Sequence, residues 1–559
     1  MYSYYLLLII ALLTACKSSN SVHYDTFASG VIVDKQAWYA NQSKIITDVN
    51  ITLPEDPNPL KCAPYDNPTG ALRPCTLEDV ESDTNPFDTY KPAVAAVYRT
   101  ANFIPTNELP NGRLSQKGKS TRYAVQKSYK FKLDSTTVLD AGQRKMQYNK
   151  QYYDLTRIRN KLSFDIFQEI PNFPSLKTEF VHLYINDIDK GLFTKVEFYD
   201  KQYLLNRNWN PKSNLYKAQN FEFLITPELT LDSSGKPADL AAFSTVIEPE
   251  VGNQQAKLLE MLNVLNNTTT PIDTIINKYF SRDNYITWLA VNILTGNVDT
   301  KTQNFFLLNP LNSDTFYFAP WDYDAAWGWY KQPGEDSNFY GRAELSIARW
   351  WYNPLHRKFL SVKKNRDDLD NKIYELRANQ FSDENIQAKI DAYMAVVEPI
   401  ISSSPDIDKL NYPIQTWKDE CNRLTQRLQD NIDNYEELKG SPMPFWQVVT
   451  YANGTLKSLW DKSIDLEGDE IVYDLAISNS PDFNTTLVSR TGLSPNDSDV
   501  KETDNHDLIY NFAISLSPGT YFFKVIAREK NNASHYMIAF DNYKVGGAVY
   551  HGVVKFVVQ

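Results

Sequence analysis

The 559-residue sequence predicts an α+β body over residues 92–438 followed by an all-β sandwich over 445–559. Three observations predict it. Short alternating runs rich in β-branched and aromatic residues recur between 92 and 230. Apolar residues recur at helical spacing in 253–295 and again in 345–438. After about 440 only strand-type alternation remains. The length suits about three or four units. With 42% hydrophobic residues, disordered, collagenous and coiled-coil chains are excluded. The 57 Lys and Arg against 68 Asp and Glu, a formal charge of −11, argue against a nucleic-acid partner held by phosphate neutralisation. No apolar run reaches the roughly 18 residues of a membrane-spanning helix.

Taken from the N-terminus, Leu6 to Leu13 is a short apolar stretch that runs into Leu13-Thr14-Ala15-Cys16. It resembles a signal peptide ending in the lipobox of bacterial lipoproteins, although no Lys or Arg precedes the apolar run. The resemblance implies a signal peptide over 1–16, membrane attachment through a lipid on Cys16, and residence in the bacterial cell envelope. Residues 17–91, with Pro54, Pro57, Pro59, Pro64, Pro68 and Pro74, predict a tether and an irregular or small β-rich region. Cys62 and Cys75 enclose a turn-rich loop and are candidates for a local disulfide, whereas Cys421 falls in a helical stretch and reads as a packed thiol. The six His and the remaining Cys show no zinc-ligand spacing.

In the body, Ala93–Tyr98, Ser128–Leu133, Thr178–Ile185, Leu192–Val196 and Asn214–Ala218 predict strands. Ile158, Leu162, Ile166 and Ile170 recur every four residues and predict a helix, with Asp154 as candidate N-cap. Residues 228–254 read as an insertion. Leu258, Leu259, Leu262 and Leu265 mark one helix; Ile286, Leu289, Ala290 and Ile293 mark the next, which Gly296 stops. A hairpin follows, Asn304–Leu308 and Thr315–Ala319. In the last region, Ile471–Ser478 and Gly519–Val525 alternate. Leu516-Ser517-Pro518-Gly519-Thr520-Tyr521, with Trp460 upstream, resembles a fibronectin type III or related sandwich, a class of spacers and docking surfaces for proteins or surface glycans.

The chemistry concentrates around the hairpin. A helix stopped by glycine leads to Asp299-Thr300-Lys301-Thr302-Gln303-Asn304; two strands later comes Trp321-Asp322-Tyr323-Asp324. Protein kinases use this order: a loop Asp at the acceptor hydroxyl, an Asn five residues on and a later Asp for Mg²⁺. A reversing hairpin would return Asp322 and Asp324 to Asn304, giving the oxygen ligands that a hard cation takes.

Six ordered blocks add to this: Gly118-Lys119-Ser120-Thr121, Lys127-Ser128-Tyr129-Lys130-Phe131-Lys132, Arg157-Ile158-Arg159-Asn160-Lys161, Gly191-Leu192-Phe193 to Glu197, Asn214-Leu215-Tyr216-Lys217, and Trp321 to Asp324 with Gly328. Together they resemble the CotH family of spore-coat-type atypical protein kinases over about residues 92–438. The resemblance implies a two-lobe, ATP- and Mg²⁺-dependent enzyme phosphorylating Ser or Thr of proteins. Asp299 would be the catalytic carboxylate; Asn304 with Asp322 or Asp324 would hold the metal. Lys130 or Lys132, which share a strand face, would meet the phosphates. Gly118 and Ser120 would form the phosphate turn, Arg157 and Arg159 would pair with phosphate or with Asp322, and Glu197 would lie near the adenine.

Two departures stand out. The turn reads Lys117-Gly118-Lys119-Ser120 in place of the family's Arg-Gly-Asn-Ser/Thr, and the loop ends Gln303-Asn304-Phe305 in place of His-Asn-Tyr. The altered turn suits the alternative reading, a non-catalytic surface lipoprotein that uses a kinase-like scaffold to bind cell-wall glycan or protein.

Overall fold

Seven strands close into a barrel in a computed structural model that describes residues 37–559 apart from 41, 57, 66, 68–69, 86–90 and 135–141. The signal-peptide stretch, Cys16 and the start of the tether lie outside the described residues. Around the barrel run Thr47–Thr52, Ala93–Thr100, Gly112–Lys117, Ser128–Leu133, Lys145–Asn149, Ile188–Val196 and Thr178–Ile185. All pairs are antiparallel except the closing one, where Thr47–Thr52 runs parallel to Thr178–Ile185. Alternation sets the inside. In Ser128–Leu133, Tyr129, Phe131 and Leu133 enter the barrel core, and Lys130 and Lys132 point out. The region expected to hold a tether and an irregular or small β-rich part supplies one strand of the barrel, with Val49 and Ile51 buried. Next to it, Cys62 and Cys75 are disulfide-bonded, and Cys421 is free and buried, as their contexts suggest.

Helix Arg159–Glu169 lies between the barrel and the helical part of the body, and it is buried on nearly every side, Arg159, Asn160 and Lys161 included. It begins after Ile158, so Asp154 is not its N-cap; the Asp154 carboxylate instead accepts from the Arg159 backbone N–H at 3.1 Å.

A second, antiparallel sheet runs Ile247–Val251, Asn214–Ala218, Phe305–Asn309, Tyr317–Pro320. Its edge strand and helix Leu240–Val246 come from the expected insertion. Helix Arg282–Leu294 packs on this sheet. Trp288 sits at the contact, its ring centroid 4.4 Å from Phe318 and 5.3 Å from Trp350. Truncating such a buried Trp costs about 3–5 kcal/mol. Helices Lys363–Ala378, Asp383–Ile401 and Ile414–Lys439 complete this part.

The C-terminal region is a β-sandwich. One sheet runs Gln447–Ala452, Thr455–Asp461, Asp507–Ala513, Val500–Glu502. The other runs Thr486–Leu493, Ile471–Ser478, Gly519–Glu529, Tyr536–Ile538, with Val554–Val558 also paired to Gly519–Glu529. Trp460 is fully buried against Tyr473, and the Tyr521 hydroxyl donates to the Ser517 carbonyl at 2.9 Å, a tyrosine corner.

Candidate active site

The site grows from the open end of the 305–320 hairpin. Phe305 pairs with Pro320, so Asn304 and Trp321 leave the sheet side by side. Both turning residues next to the sheet, Asn304 at φ 58° and Asp322 at φ 57°, adopt left-handed backbone, an uncommon conformation for residues other than glycine. It is held from outside. The Tyr323 N–H donates to Asn160 Oδ1 at 3.0 Å, and its hydroxyl donates to Asn292 Oδ1 at 3.0 Å. The Arg-x-Arg-Asn-Lys block thus serves the site through its Asn.

The loop after helix Arg282–Leu294 brings Asp299 to the same place. Gly296, at φ +56°, ends the helix with its Cα against Asn431, where a Cβ would come within 2.5 Å of Oδ1. Thr300 donates to Asn292 Oδ1 at 3.1 Å, and Arg349 donates to the Val298 carbonyl. The Asp299 carboxylate accepts from Gln303 at 2.8 Å and from Asn304 Nδ2 at 2.6 Å, which leaves Asn304 Oδ1 for another partner.

Burial, with the repulsion of Asp322, Asp299 and Asp154, holds the Asp324 carboxyl well above the usual carboxylate range. Burial and Asp322 likewise raise Asp299, against the hydrogen bonds and the Arg349 charge. Opposite them, burial lowers the Lys117 ammonium, with Asp322 opposing and Lys217 assisting. Lys117 and Lys217 flank the Trp321 ring, 5.5 and 5.8 Å from its centroid. Lys217 arrives there because it pairs with Phe306, one residue into the hairpin. Asp322, Asp324 and the free Asn304 Oδ1 offer oxygen donors of the kind a divalent hard cation takes, and such a cation would relieve the repulsion among the acids.

The structure thus brings together Asp299, Asn304, Asp322 and Asp324, and adds Lys117 and Lys217. Gly118, at φ +103°, follows Lys117 directly; a Cβ there would fall 1.8 Å from Thr121 Oγ1, so this turn requires glycine. Ser120 is exposed on it.

Other expected residues sit elsewhere. Lys130 stands over the Phe198 ring at 5.0 Å, with Lys145 and Glu250 as its charged neighbours, and Lys132 is exposed beyond it. The cause is register: Lys117 faces Ser128, which puts Lys130 two residues, about 7 Å, farther along the barrel wall. Arg157 is buried with its guanidinium on the Lys150 and Gln151 carbonyls, and its carboxylate neighbours are Asp406 and Asp154, not Asp322. Arg159 is locked between Asp154 and Glu420. Glu197 forms a two-pronged ion pair with Arg207, both contacts at 2.9 Å. These three charges hold the body together.

The sequence reading missed Lys117, Lys217 and Arg349 as site residues. Lys217 closes the Asn-Leu-Tyr-Lys block and Lys117 precedes the glycine turn, so both carried a signal; Arg349 carried none.

Comparison with known proteins gives the family. Residues 114–434, more than half of the chain, match the family model described as CotH kinase protein. The inner spore coat protein H of Bacillus subtilis (strain 168) is 23% identical over 299 residues, covering 52% of this chain and 79% of that protein. Among solved structures, a Helicobacter pylori proinflammatory kinase, CtkA, overlaps 55% of this chain and 93% of its own at 11% identity and a TM-score of 0.26. The twitchin kinase region from C. elegans overlaps 74% of this chain and 69% of its own at 9% identity and a TM-score of 0.16. The chain belongs to the CotH kinase protein family.

Proposed function

We propose that this protein transfers the γ-phosphoryl group of ATP to Ser or Thr hydroxyls of proteins at the bacterial cell envelope, where a lipid on Cys16 anchors it. The observation that carries the reading is the Asp299–Asn304 hydrogen bond at one hairpin end, with Asp322 and Asp324 as its charged neighbours and the half-buried Lys117 ammonium facing them. Asp299 orients the acceptor hydroxyl and takes its proton. Its two oxygens are already held by Gln303 and Asn304, and its raised pKa makes it a stronger proton acceptor than an ordinary carboxylate. Asn304 Oδ1, Asp322 and Asp324 would hold Mg²⁺, which supplies charge neutralisation on the phosphate oxygens when bound. Lys117 and Lys217 add fixed positive charge beside Trp321, and the glycine turn after Lys117 lets the backbone approach the phosphates. The C-terminal sandwich is read as a fibronectin type III-like module.

The test uses the chain from residue 21 onward with Mg²⁺, labelled ATP and a Ser/Thr-rich acceptor. Label should enter the acceptor or the protein itself, and Asp299→Ala should abolish it. Equal signal from both proteins refutes the reading, and a specific glycan or protein ligand in the absence of ATP binding would establish the non-catalytic alternative.

A further inference from the structure

The sandwich is not a pendant tail. Its Leu466 and Met537 belong to the main hydrophobic core of the body, and Arg366 donates to the Leu466 carbonyl at 2.6 Å. A further set of its contacts falls on residues 338–352, whose far side supports the Asp299 loop.

Two routes cross that segment. In the first, His551 of the sandwich bonds the Asn338 carbonyl at 2.9 Å and lies 3.3 Å from the Glu344 carboxylate. Gly341 faces the His551 ring so closely that a Cβ would come within 2.5 Å of it. Glu344 ties back to the Gly341 N–H at 3.1 Å, and its carbonyl accepts from Arg349 at 3.2 Å. The same Arg349 guanidinium donates to the carbonyl of Val298, the residue before Asp299. In the second route, Phe540 and Trp446 pack against Tyr352, at centroid distances of 5.5 and 5.9 Å. The Lys301 ammonium, two residues after Asp299, rests on the same Tyr352 ring at 3.8 Å, and the Tyr352 hydroxyl is fixed on Glu222 at 2.8 Å. Both flanks of Asp299 are therefore braced by side chains that the sandwich itself braces.

We propose that the sandwich is a positioning element for the catalytic loop, with His551 and Phe540 acting through Arg349 and Tyr352 to set the place of Asp299. The inference rests on the phosphotransferase reading and deepens it. Of the metal and phosphate groups, which the hairpin and the barrel supply, these routes touch Asn304 alone and that only through Asp299, so the sandwich acts on turnover more than on nucleotide binding.

His551→Ala and Phe540→Ala test this in the chain from residue 21 onward, which keeps every described residue. Each should lower kcat about tenfold, since small displacements of a reacting group cost that much or more, with KM for ATP changed by less than about twofold. In the same variants, hydrogen exchange at the 297–302 amides should quicken about tenfold while the barrel amides keep their rates. His551→Gln, which retains a donor for the Asn338 carbonyl, should recover part of both effects. Wild-type exchange at 297–302 in both alanine variants overturns the proposal, as does a rise in KM with kcat intact, or a lower melting temperature with both readouts unmoved. If the unsubstituted protein transfers no phosphate, the kinase reading falls, and the exchange rates alone still decide whether the sandwich braces the loop.

Discussion

Lys117→Met and Lys130→Met, compared side by side, separate the structural assignment of the phosphate-facing lysine from the one that strand alternation alone suggests. The Lys117 ammonium lies beside Trp321 with Asp322 and Asp324 as its charged neighbours. A charge-assisted hydrogen bond contributes about 1.5–3 kcal/mol. At about 1.4 kcal/mol per decade, losing it weakens Mg²⁺-ATP binding by about ten- to a hundredfold. Lys130 sits about 7 Å farther along the wall, over Phe198 and among Lys145 and Glu250, where solvent screens its reach to the cleft. Its loss should change binding by less than about threefold. Calorimetric titration of Mg²⁺-ATP into the two variants reads the difference directly. Unfolding should not confuse the result, because burial already disfavours the Lys117 charge and a methionine of similar length fills its place. A larger effect from Lys130→Met, or none beyond about twofold from either, would refute the assignment.

Arg159→Met should cost about 3–5 kcal/mol in chemical denaturation, because it leaves Asp154 buried without its ion-pair partner and Glu420 with Arg423 alone. Unchanged stability with lost nucleotide binding would return Arg159 to the phosphates. Asp324, with its raised pKa, stays protonated farther up the pH scale than an ordinary carboxyl, so Mg²⁺ must displace that proton. Affinity for Mg²⁺ should rise with pH, and calorimetry in buffers of different ionisation enthalpy should register proton release; a pH-independent affinity contradicts this. His356 is buried with a pKa pushed down to about 3, its Nδ1 within 2.8 Å of the Tyr285 hydroxyl. The unfolded chain binds this proton below about 6.5 and the folded chain does not, so stability is present above that pH and is lost as pH falls toward 3. At pH 5 the loss amounts to about 2 kcal/mol, and His356→Gln should remove that slope from the pH dependence of unfolding.

What was legible in the sequence was local. Gly296 as a helix stop, the Asp299 to Asn304 loop and the hairpin returning Asp322 need only neighbours within about 25 residues, and the fold delivers each of them. What escaped depends on partners far along the chain. Val49 and Ile51 alternate over too few residues to announce a strand, and their parallel partner lies beyond residue 180. The every-fourth-residue isoleucines of the 158–170 helix mark one apolar face; they do not show that the other faces are covered too, which turns Arg159 from a ligand candidate into a buried brace. Alternation put Lys130 and Lys132 on the right face of their strand, yet the lysine beside the acids is chosen by the register of the neighbouring strand, which no local pattern encodes. The same reasoning bears on Asn304 and Asp322. Each holds a left-handed backbone that its own residue type tolerates only modestly, and each is fixed by groups from other elements, Asp299 for one and Asn160 acting through Tyr323 for the other. Both stand beside carboxyl groups that burial and mutual repulsion push toward their neutral form, an arrangement that a bound cation would stabilise and that the helix, the barrel and the sheet converging there hold in place.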